Sequence, residues 1–136
     1  TLRAARMLVD HALAVGYDPA RGQLYEYGSA YGRAIDRSVQ WWAQFEFWNA
    51  LFLMHGIHGQ ETSRYWDAAM KAWTLTVDAF TDKEHPGVCP QMDENGKVDC
   101  ESKSHPWFVS YHTARSLLLS ADRLRQGRSA PGVRHD

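Results

Sequence analysis

The stretch that decides the fold, residues 38–55, reads SVQWWAQFEFWNALFLMH. Apolar and aromatic residues recur in it at helical spacing along two stripes, one of which is Trp41, Phe45, Trp48 and Phe52. A helix that is apolar on more than one side is usually buried on more than one side. The stretch therefore predicts a central helix, with Ser38 as its N-cap.

Helical periodicity also predicts a helix over about residues 1–15 before this stretch, and helices over about 63–80 and 107–125 after it. The second and third helices are joined by a short link, whereas the other two connections are long and contain hairpin-like segments. In the later one, Asn95-Gly96 is a strong turn signal. Because antiparallel helices alternate in direction, the second and fourth helices should begin on the face that carries both long loops.

This arrangement predicts an all-α fold of helical hairpins, with short β-hairpin-like loops on the active-site face. A closed toroid of six such hairpins needs roughly 350–400 residues at ordinary helix and loop lengths. Four helices are about a third of it, so we expect residues 1–125 to be a partial toroid and 126–136 to be a disordered tail.

Composition sets limits on the function. The chain has 136 residues, 44% of them hydrophobic and 23% charged, and its net charge is −1. Because no basic field or long apolar run is present, we expect neither nucleic acid nor a membrane as a partner. The first residues do not form a secretory signal, which favours a cytoplasmic location.

Two cysteines flank the Asn-Gly turn. Cys89 and Cys100 could form a disulfide across the hairpin, but free thiols are favoured in a cytoplasmic protein. With His85 and His105 these cysteines match no standard zinc-ligand spacing, so no metal site is predicted.

The unusual residues lie near the starts of the second and fourth helices. Trp42 and Glu46 are four residues apart on one helix face, and Trp107, His112 and Arg115 fall within about two turns of each other. A histidine can be neutral near pH 7 and remove a proton beside a carbonyl. A carboxylate such as Glu46 can orient that imidazole or bind a sugar hydroxyl, and a tryptophan can stack on a sugar ring.

Structural explanations compete with this chemistry. His112 could be a hydrogen-bonded core histidine, and Glu46 could simply pair with an arginine. Four of the tryptophans are better explained as core packing, namely Trp41, Trp48, Trp66 and Trp73.

The motifs, taken in order, resemble the N-acylglucosamine 2-epimerase family, which includes cellobiose 2-epimerases and mannose isomerases. Its members carry a Trp-Trp-x-Gln-Ala-Glu helix, similar to residues 41–46, and a later Trp followed five residues on by His, similar to residues 107–112. The loop at residues 16–22 and the hairpin at 93–97 are also similar. The resemblance covers roughly residues 2–125, although Phe45, Ser110 and Thr113 depart from the family's residues.

The resemblance implies an (α/α)6 barrel that epimerises or isomerises an open-chain mono- or disaccharide at C2, without a cofactor or metal. It implies that His112 is an acid/base, that Glu46 is an active-site carboxylate, and that Trp42 and Trp107 contact the sugar. We expect Gln44 and Arg115 to be further substrate contacts. The family's second acid/base histidine, in a His-x-x-Glu pair, would precede Thr1. The chain alone is therefore expected to be incomplete and inactive, with a missing N-terminal portion or other copies as partners.

Two other functions remain open at this point. The first is a non-catalytic carbohydrate-binding or protein-interaction domain with the same fold. The second is a helical-toroid glycosidase, whose mechanism needs two suitably placed carboxylates, and Glu46 has no obvious second carboxylate here.

Overall fold

The computed structural model describes residues 2–101, 103 and 109–129. Within these residues the α-helices are α1 (Leu2–His11), α2 (Trp41–His58), α3 (Arg64–Leu75) and α4 (Tyr111–Ser129). A π-helical turn continues α1 over Ala12–Gly16, and another continues α3 over Thr76–Phe80. The short strands are β1 (Tyr17–Asp18), β2 (Gln23–Leu24), β3 (Tyr27–Gly28), β4 (Ala34–Asp36), β5 (Val39–Gln40), β6 (Gln91–Met92) and β7 (Val98–Asp99).

The start of α2 differs from the prediction. The helix begins at Trp41, and Ser38 is not its N-cap, because the intervening Val39–Gln40 pairs with β6 as strand β5. The Trp41 backbone N–H donates to the carbonyl of Pro90 at 3.0 Å. A neighbouring loop thus satisfies a donor that a side-chain cap would otherwise have satisfied.

The end of α4 also differs. The helix continues to Ser129, so residues 126–129 are helical and the predicted tail begins too early. The Gln126 side chain donates to Asp122 Oδ2 at 2.7 Å, an i,i+4 contact that supports the added turn. The predicted start at Trp107 and residues 130–136 lie outside the described residues, and the division into a domain and a tail stays a prediction.

Helix α2 lies at the centre of the core. Nine of its residues are buried, and Trp48 and Leu51 are no more than 1% exposed. Trp41 is buried as well, while Trp66 and Trp73 are partly buried and pack against the same core. The prediction that these tryptophans fill the core is therefore confirmed.

Helices α2 and α3 form an antiparallel hairpin. The indole of Trp48 meets that of Trp73 edge-on with ring centroids 5.0 Å apart, and the later Phe52 meets the earlier Trp66 at 5.8 Å. Partners that run in opposite order along the two helices are the sign of an antiparallel pair. The short link after His58 is therefore a helical-hairpin connection, as predicted.

Helix α4 runs in the same direction as α2. Glu46 contacts Arg115, and Asn49, one turn later on α2, contacts Arg123, two turns later on α4. Partners in the same order indicate a parallel pair. The prediction that the second and fourth helices begin on one face is confirmed, and the polar residues of both first turns are thereby brought together.

The long connections form small antiparallel sheets beside the start of α2. The pairs are β1–β2, β3–β4 and the three-stranded sheet β5–β6–β7. The predicted turn is present between β6 and β7, where Gly96 adopts a φ of +90° and its N–H donates to the Asp93 carbonyl at 3.0 Å. The hairpin at β1–β2 packs so closely on α3 that a Cβ on Gly22 would lie 2.5 Å from the Lys71 carbonyl oxygen.

The prediction of free thiols is wrong. Cys89 and Cys100 form a disulfide, with their Cα atoms 4.4 Å apart. The reason is the antiparallel pairing of β6 with β7, because each cysteine stands just outside one of these two strands.

Two further observations concern the described residues alone. None of their helices is long and apolar enough to cross a membrane. They also contain no group of three or more His, Cys, Asp or Glu side chains placed to hold a metal ion.

Candidate active site

A polar cluster lies where the first turns of α2 and α4 meet. The Nδ1 atom of His112 is 2.8 Å from Oε1 of Glu46, although 66 residues separate the two in sequence. Both side chains are part-buried, the imidazole 32% and the carboxylate 21% exposed. The parallel direction of α2 and α4 is what brings them together.

Arg115 completes the cluster from the next turn of α4. Its Nε donates to Oε1 of Glu46 at 3.1 Å, and one of its terminal nitrogens donates to Oε2. This two-point contact is the strongest way in which a guanidinium can hold a carboxylate. Both partners considered for Glu46 from the sequence, a histidine and an arginine, are therefore present at once.

The contact with Glu46 decides which nitrogen of His112 is basic. Since a carboxylate only accepts hydrogen bonds, Nδ1 carries the proton and donates it to Glu46. The lone pair of the neutral ring is then on Nε2, to which no described residue donates a hydrogen bond. A carboxylate in this position also stabilises the imidazolium that forms when Nε2 takes up a proton. The pair can therefore accept a proton at Nε2 and return it.

Aromatic rings surround the imidazole. The Trp42 ring lies 5.7 Å from that of His112 and is 43% exposed, so it can present a face to a ligand. Trp41 also contacts His112, at 5.8 Å, but it is buried and belongs to the core. The predicted contact Trp107 lies outside the described residues.

Two residues of this cluster were not predicted. The exposed ring of Tyr111 lies 5.1 Å from that of His112, and the guanidinium carbon of Arg115 is 5.7 Å from the Tyr111 centroid. The i,i+4 spacing of Tyr111 and Arg115 was the available signal for the first. The second, Asn49, has a side-chain nitrogen 3.5 Å from Oε2 of Glu46, and it could have been noticed as a polar residue within an apolar helix.

Gln44 is not a substrate contact, contrary to the prediction. It is completely buried, its Nε2 donates to the Gly22 carbonyl at 2.7 Å, and its Oε1 accepts from the Leu24 N–H at 3.0 Å. Nε2 is also 3.4 Å from the Ala72 carbonyl. Gln44 therefore fastens the β1–β2 hairpin to α2 and α3. The physical reason is its position on α2, which faces the hairpin and α3, whereas Glu46 faces α4.

Replacing Gln44 with leucine is expected to lower the free energy of unfolding by about 2–3 kcal/mol, because buried backbone groups of the hairpin lose their partners. Chemical denaturation of the complete protein measures this loss. Gln40→Leu is the matched control, since its amide makes only an exposed contact with Gln91, and its effect should stay within about 0.5 kcal/mol. A Gln44→Leu protein of normal stability with weakened sugar binding would contradict this assignment.

The chain itself contains one His-x-x-Glu spacing, at His58 and Glu61. His58 Nδ1 lies 3.1 Å from Oε1 of Glu61, and Arg6 donates to the same carboxylate at 3.2 Å. His58 ends α2, twelve residues after Glu46, which is about 18 Å along the helix axis. This pair is therefore too distant to act with His112 on one atom.

A cleft of about 340 Å³ lies elsewhere, between α1 and α3. Its most prominent carboxylate, Asp10, accepts hydrogen bonds from Tyr65, at 2.6 Å, and from Arg64. Burial alone would raise the pKa of Asp10, but these two donors outweigh it and lower the pKa. The cleft is thus lined by a satisfied ion pair, whereas the His112 cluster has an open basic nitrogen and an exposed ring.

Comparison with known proteins gives a consistent result. A family model described as N-acylglucosamine 2-epimerase (GlcNAc 2-epimerase) matches residues 1–116. A crystal structure of D-mannose isomerase is similar over 83% of this chain, with 18% identity and a TM-score of 0.65. The cellobiose 2-epimerase of Spirochaeta thermophila DSM 6192 is similar over 91%, with 25% identity and a TM-score of 0.67.

The chain spans only 28% of the length of each of these two structures. Comparison with curated protein sequences gives no match. The fold similarity therefore concerns one part of a larger relative.

Proposed function

We propose, because this chain belongs to the N-acylglucosamine 2-epimerase family, that it is the part of a sugar 2-epimerase or aldose–ketose isomerase that supplies one acid/base histidine. The observation that carries the proposal is the 2.8 Å contact between His112 and Glu46 beside an exposed tryptophan. It provides a base oriented by a carboxylate next to a surface on which a sugar can stack.

The proposed reaction is proton transfer at C2 of an open-chain sugar. As Nε2 of His112 takes the C2 proton, the electrons of that C–H bond form a C1–C2 double bond, and the C1 oxygen gains a negative charge. A proton returned to the opposite face of C2 gives the epimer. A proton returned to C1 gives the ketose, with the proton of the C2 hydroxyl passing to the C1 oxygen as the C2 carbonyl forms. His112 can serve in either direction, as proton acceptor or as donor, and the chemistry uses no metal or cofactor.

The charges of the cluster suit this intermediate. Glu46 carries one negative charge, and the guanidinium groups of Arg115 and Arg123 lie on the same side of α4. With neutral His112 the set has an excess of positive charge, which favours a nearby anion. Arg115 is held by Glu46, so we assign it a supporting contact with the sugar.

The substrate we propose is a mono- or disaccharide that stacks on Trp42 and is also contacted by Trp107. Mannose and cellobiose are the first candidates, from the names of the two similar structures. The rest of the (α/α)6 barrel would supply the remaining wall of the site and the second acid/base.

Exposed apolar side chains support a larger assembly. Leu8 on α1 is 72% exposed, and Leu118 on α4 is 70% exposed. Apolar residues exposed along helix faces are typical of surfaces that pack against further helices. We propose that the N-terminal portion of the complete protein, or a second copy of this chain, covers them.

A cytoplasmic location stays a prediction. The disulfide between Cys89 and Cys100 is more usual in oxidising compartments, so it gives the prediction no support.

The proposal is tested with the complete protein in deuterium oxide, supplied with mannose, N-acetylmannosamine or cellobiose. The expected result is formation of the epimer or ketose from at least one sugar, with deuterium entering at C2 of the epimer or at C1 of the ketose. Calorimetric binding of these sugars without deuterium incorporation would instead indicate a non-catalytic carbohydrate-binding domain. Hydrolysis of cellobiose would indicate a glycosidase.

A further inference from the structure

We infer that Asn49 is a positioning residue that holds the Glu46 carboxylate in the orientation that His112 needs, and that Arg123 in turn fixes Asn49. This inference rests on the proposed function, in which the pair of Glu46 and His112 transfers the proton. It adds to the site the next pair of contacting residues along the interface of α2 and α4, Asn49 and Arg123.

Asn49 is a polar residue in the buried centre of that interface. It is 5% exposed and follows Glu46 by three residues on α2, so the two side chains lie on the same face. An amide removed from water is costly unless its hydrogen bonds are satisfied. The hydrogen bonds that the Asn49 amide makes should therefore indicate the role of this residue.

The oxygen of Asn49 points toward α4. Its Oδ1 accepts from a terminal nitrogen of Arg123 and lies 3.4 Å from the hydroxyl of Ser120. The same guanidinium nitrogen donates to the Asn49 backbone carbonyl at 3.1 Å. Because a guanidinium can only donate, it fixes Oδ1 on this side, and a rotated amide would place an NH2 group against a cation.

The nitrogen of Asn49 is thereby directed at Glu46, whose Oε2 lies 3.5 Å away. This oxygen also accepts from Arg115, while Oε1 accepts from His112 and from Arg115 Nε. Donors thus surround both oxygens, and the carboxylate plane is held so that Oε1 faces the imidazole. Asn49 supplies this donor from α2 itself, and Arg123 on α4 fixes the direction in which the amide points.

The neutral amide of Asn49 contacts both the Arg123 guanidinium, through Oδ1, and the Glu46 carboxylate, through its nitrogen. The charged or titratable groups of this part of the interface are Glu46 on α2 and Tyr111, His112, Arg115 and Arg123 on α4, with Asp122 beside Arg123. Burial and then the repulsion of Arg115 lower the pKa of Arg123, and the attraction of the neighbouring Asp122 offsets these two effects only in part. An aspartate at position 49 would place a carboxylate directly against the Arg123 guanidinium.

The experiment compares Asn49→Leu and Asn49→Asp in the complete protein, with Ser116→Ala as control. Ser116 is fully buried on α4, and its hydroxyl has no hydrogen-bond partner among the described residues, so its removal tests packing alone. The readouts are kcat and KM across pH, and the NMR signal of the His112 Nδ1–H proton, which is shifted downfield by its bond to Glu46.

We expect Asn49→Leu to lower kcat about tenfold with little change in KM, and to broaden or shift the Nδ1–H signal, because Glu46 can rotate. In Asn49→Asp the added negative charge favours the imidazolium, so the acid limb of the kcat profile should move to higher pH. Ser116→Ala should change neither readout.

An unchanged Nδ1–H signal and unchanged kcat in Asn49→Leu would overturn the inference, as would an equal loss in Ser116→Ala. The NMR readout separates this inference from the proposed function. If the unmodified protein turns over no sugar, the proposed function fails, while a signal lost in Asn49→Leu still shows that Asn49 orients the pair.

Discussion

Replacing His112 with alanine is expected to lower the rate of proton exchange at C2 by about 10²–10⁴-fold, the usual contribution of a positioned acid or base. The reason is that Nε2 is the basic nitrogen of the cluster and Glu46 has oriented it. Sugar binding should change much less, because the exposed face of Trp42 remains. The measurement is deuterium incorporation at C2 by the complete protein, followed by NMR beside a calorimetric titration with the same sugar.

His58→Ala is the matched control for this prediction. His58 also contacts a glutamate through Nδ1, at 3.1 Å from Glu61, but it lies at the other end of α2. Its replacement should leave the exchange rate within about threefold, which tests the conclusion that this pair lies outside the site. Full exchange in His112→Ala would show that the proton is carried by another group, and a large loss in His58→Ala would contradict the placement of that pair.

The helices were predictable because apolar residues at helical spacing in the local sequence indicate which faces of each helix are buried. The two apolar stripes of residues 38–55 predicted a helix with neighbours on several sides, and α2 packs against α1, α3 and α4. Loop lengths predicted the directions of the helices, since a short link forces an antiparallel hairpin. The start of α2 was not predictable in the same way, because strand β5 pairs with residues some fifty positions away.

Residues whose role depends on contacts distant in sequence were the ones misjudged. Gln44 stands in a motif beside Glu46, yet it points to the other side of α2 and bonds the hairpin. The compartment predicted from the sequence favours free thiols at Cys89 and Cys100, whereas the geometry of the hairpin brings the two cysteines together as a disulfide. A motif supplies residue types at fixed spacing, but the side that each residue faces depends on the neighbouring elements.

The candidate site was predictable where one helix carries the signal. Trp42 with Glu46 and His112 with Arg115 are each within one helical turn, so each pair could be found alone. Their meeting depends on the parallel register of α2 and α4, which also brings Asn49 against Arg123. No local pattern contains that register. Asn49 stands out locally as a polar residue within an apolar helix, but its pairing with Arg123 could not be predicted.

Replacing Glu46 with glutamine is expected to lower kcat by about 10²–10⁴-fold, comparable to the loss when the carboxylate that orients a catalytic histidine is removed. The neutral amide has nearly the same shape, but it can no longer stabilise an imidazolium. It must also turn an NH2 group toward one of its donors, His112 or Arg115. Because Arg115 is 40% exposed, the accompanying loss of stability should be only about 1 kcal/mol.

A double-mutant cycle tests whether Glu46 acts through His112. If it does, the variant that carries both Glu46→Gln and His112→Ala should be no slower than His112→Ala alone, because an absent imidazole cannot be oriented. Glu46→Asp should recover part of the rate in the presence of His112 and none in its absence. Additive losses would instead indicate that Glu46 binds the sugar directly, since its contribution would then persist without the histidine.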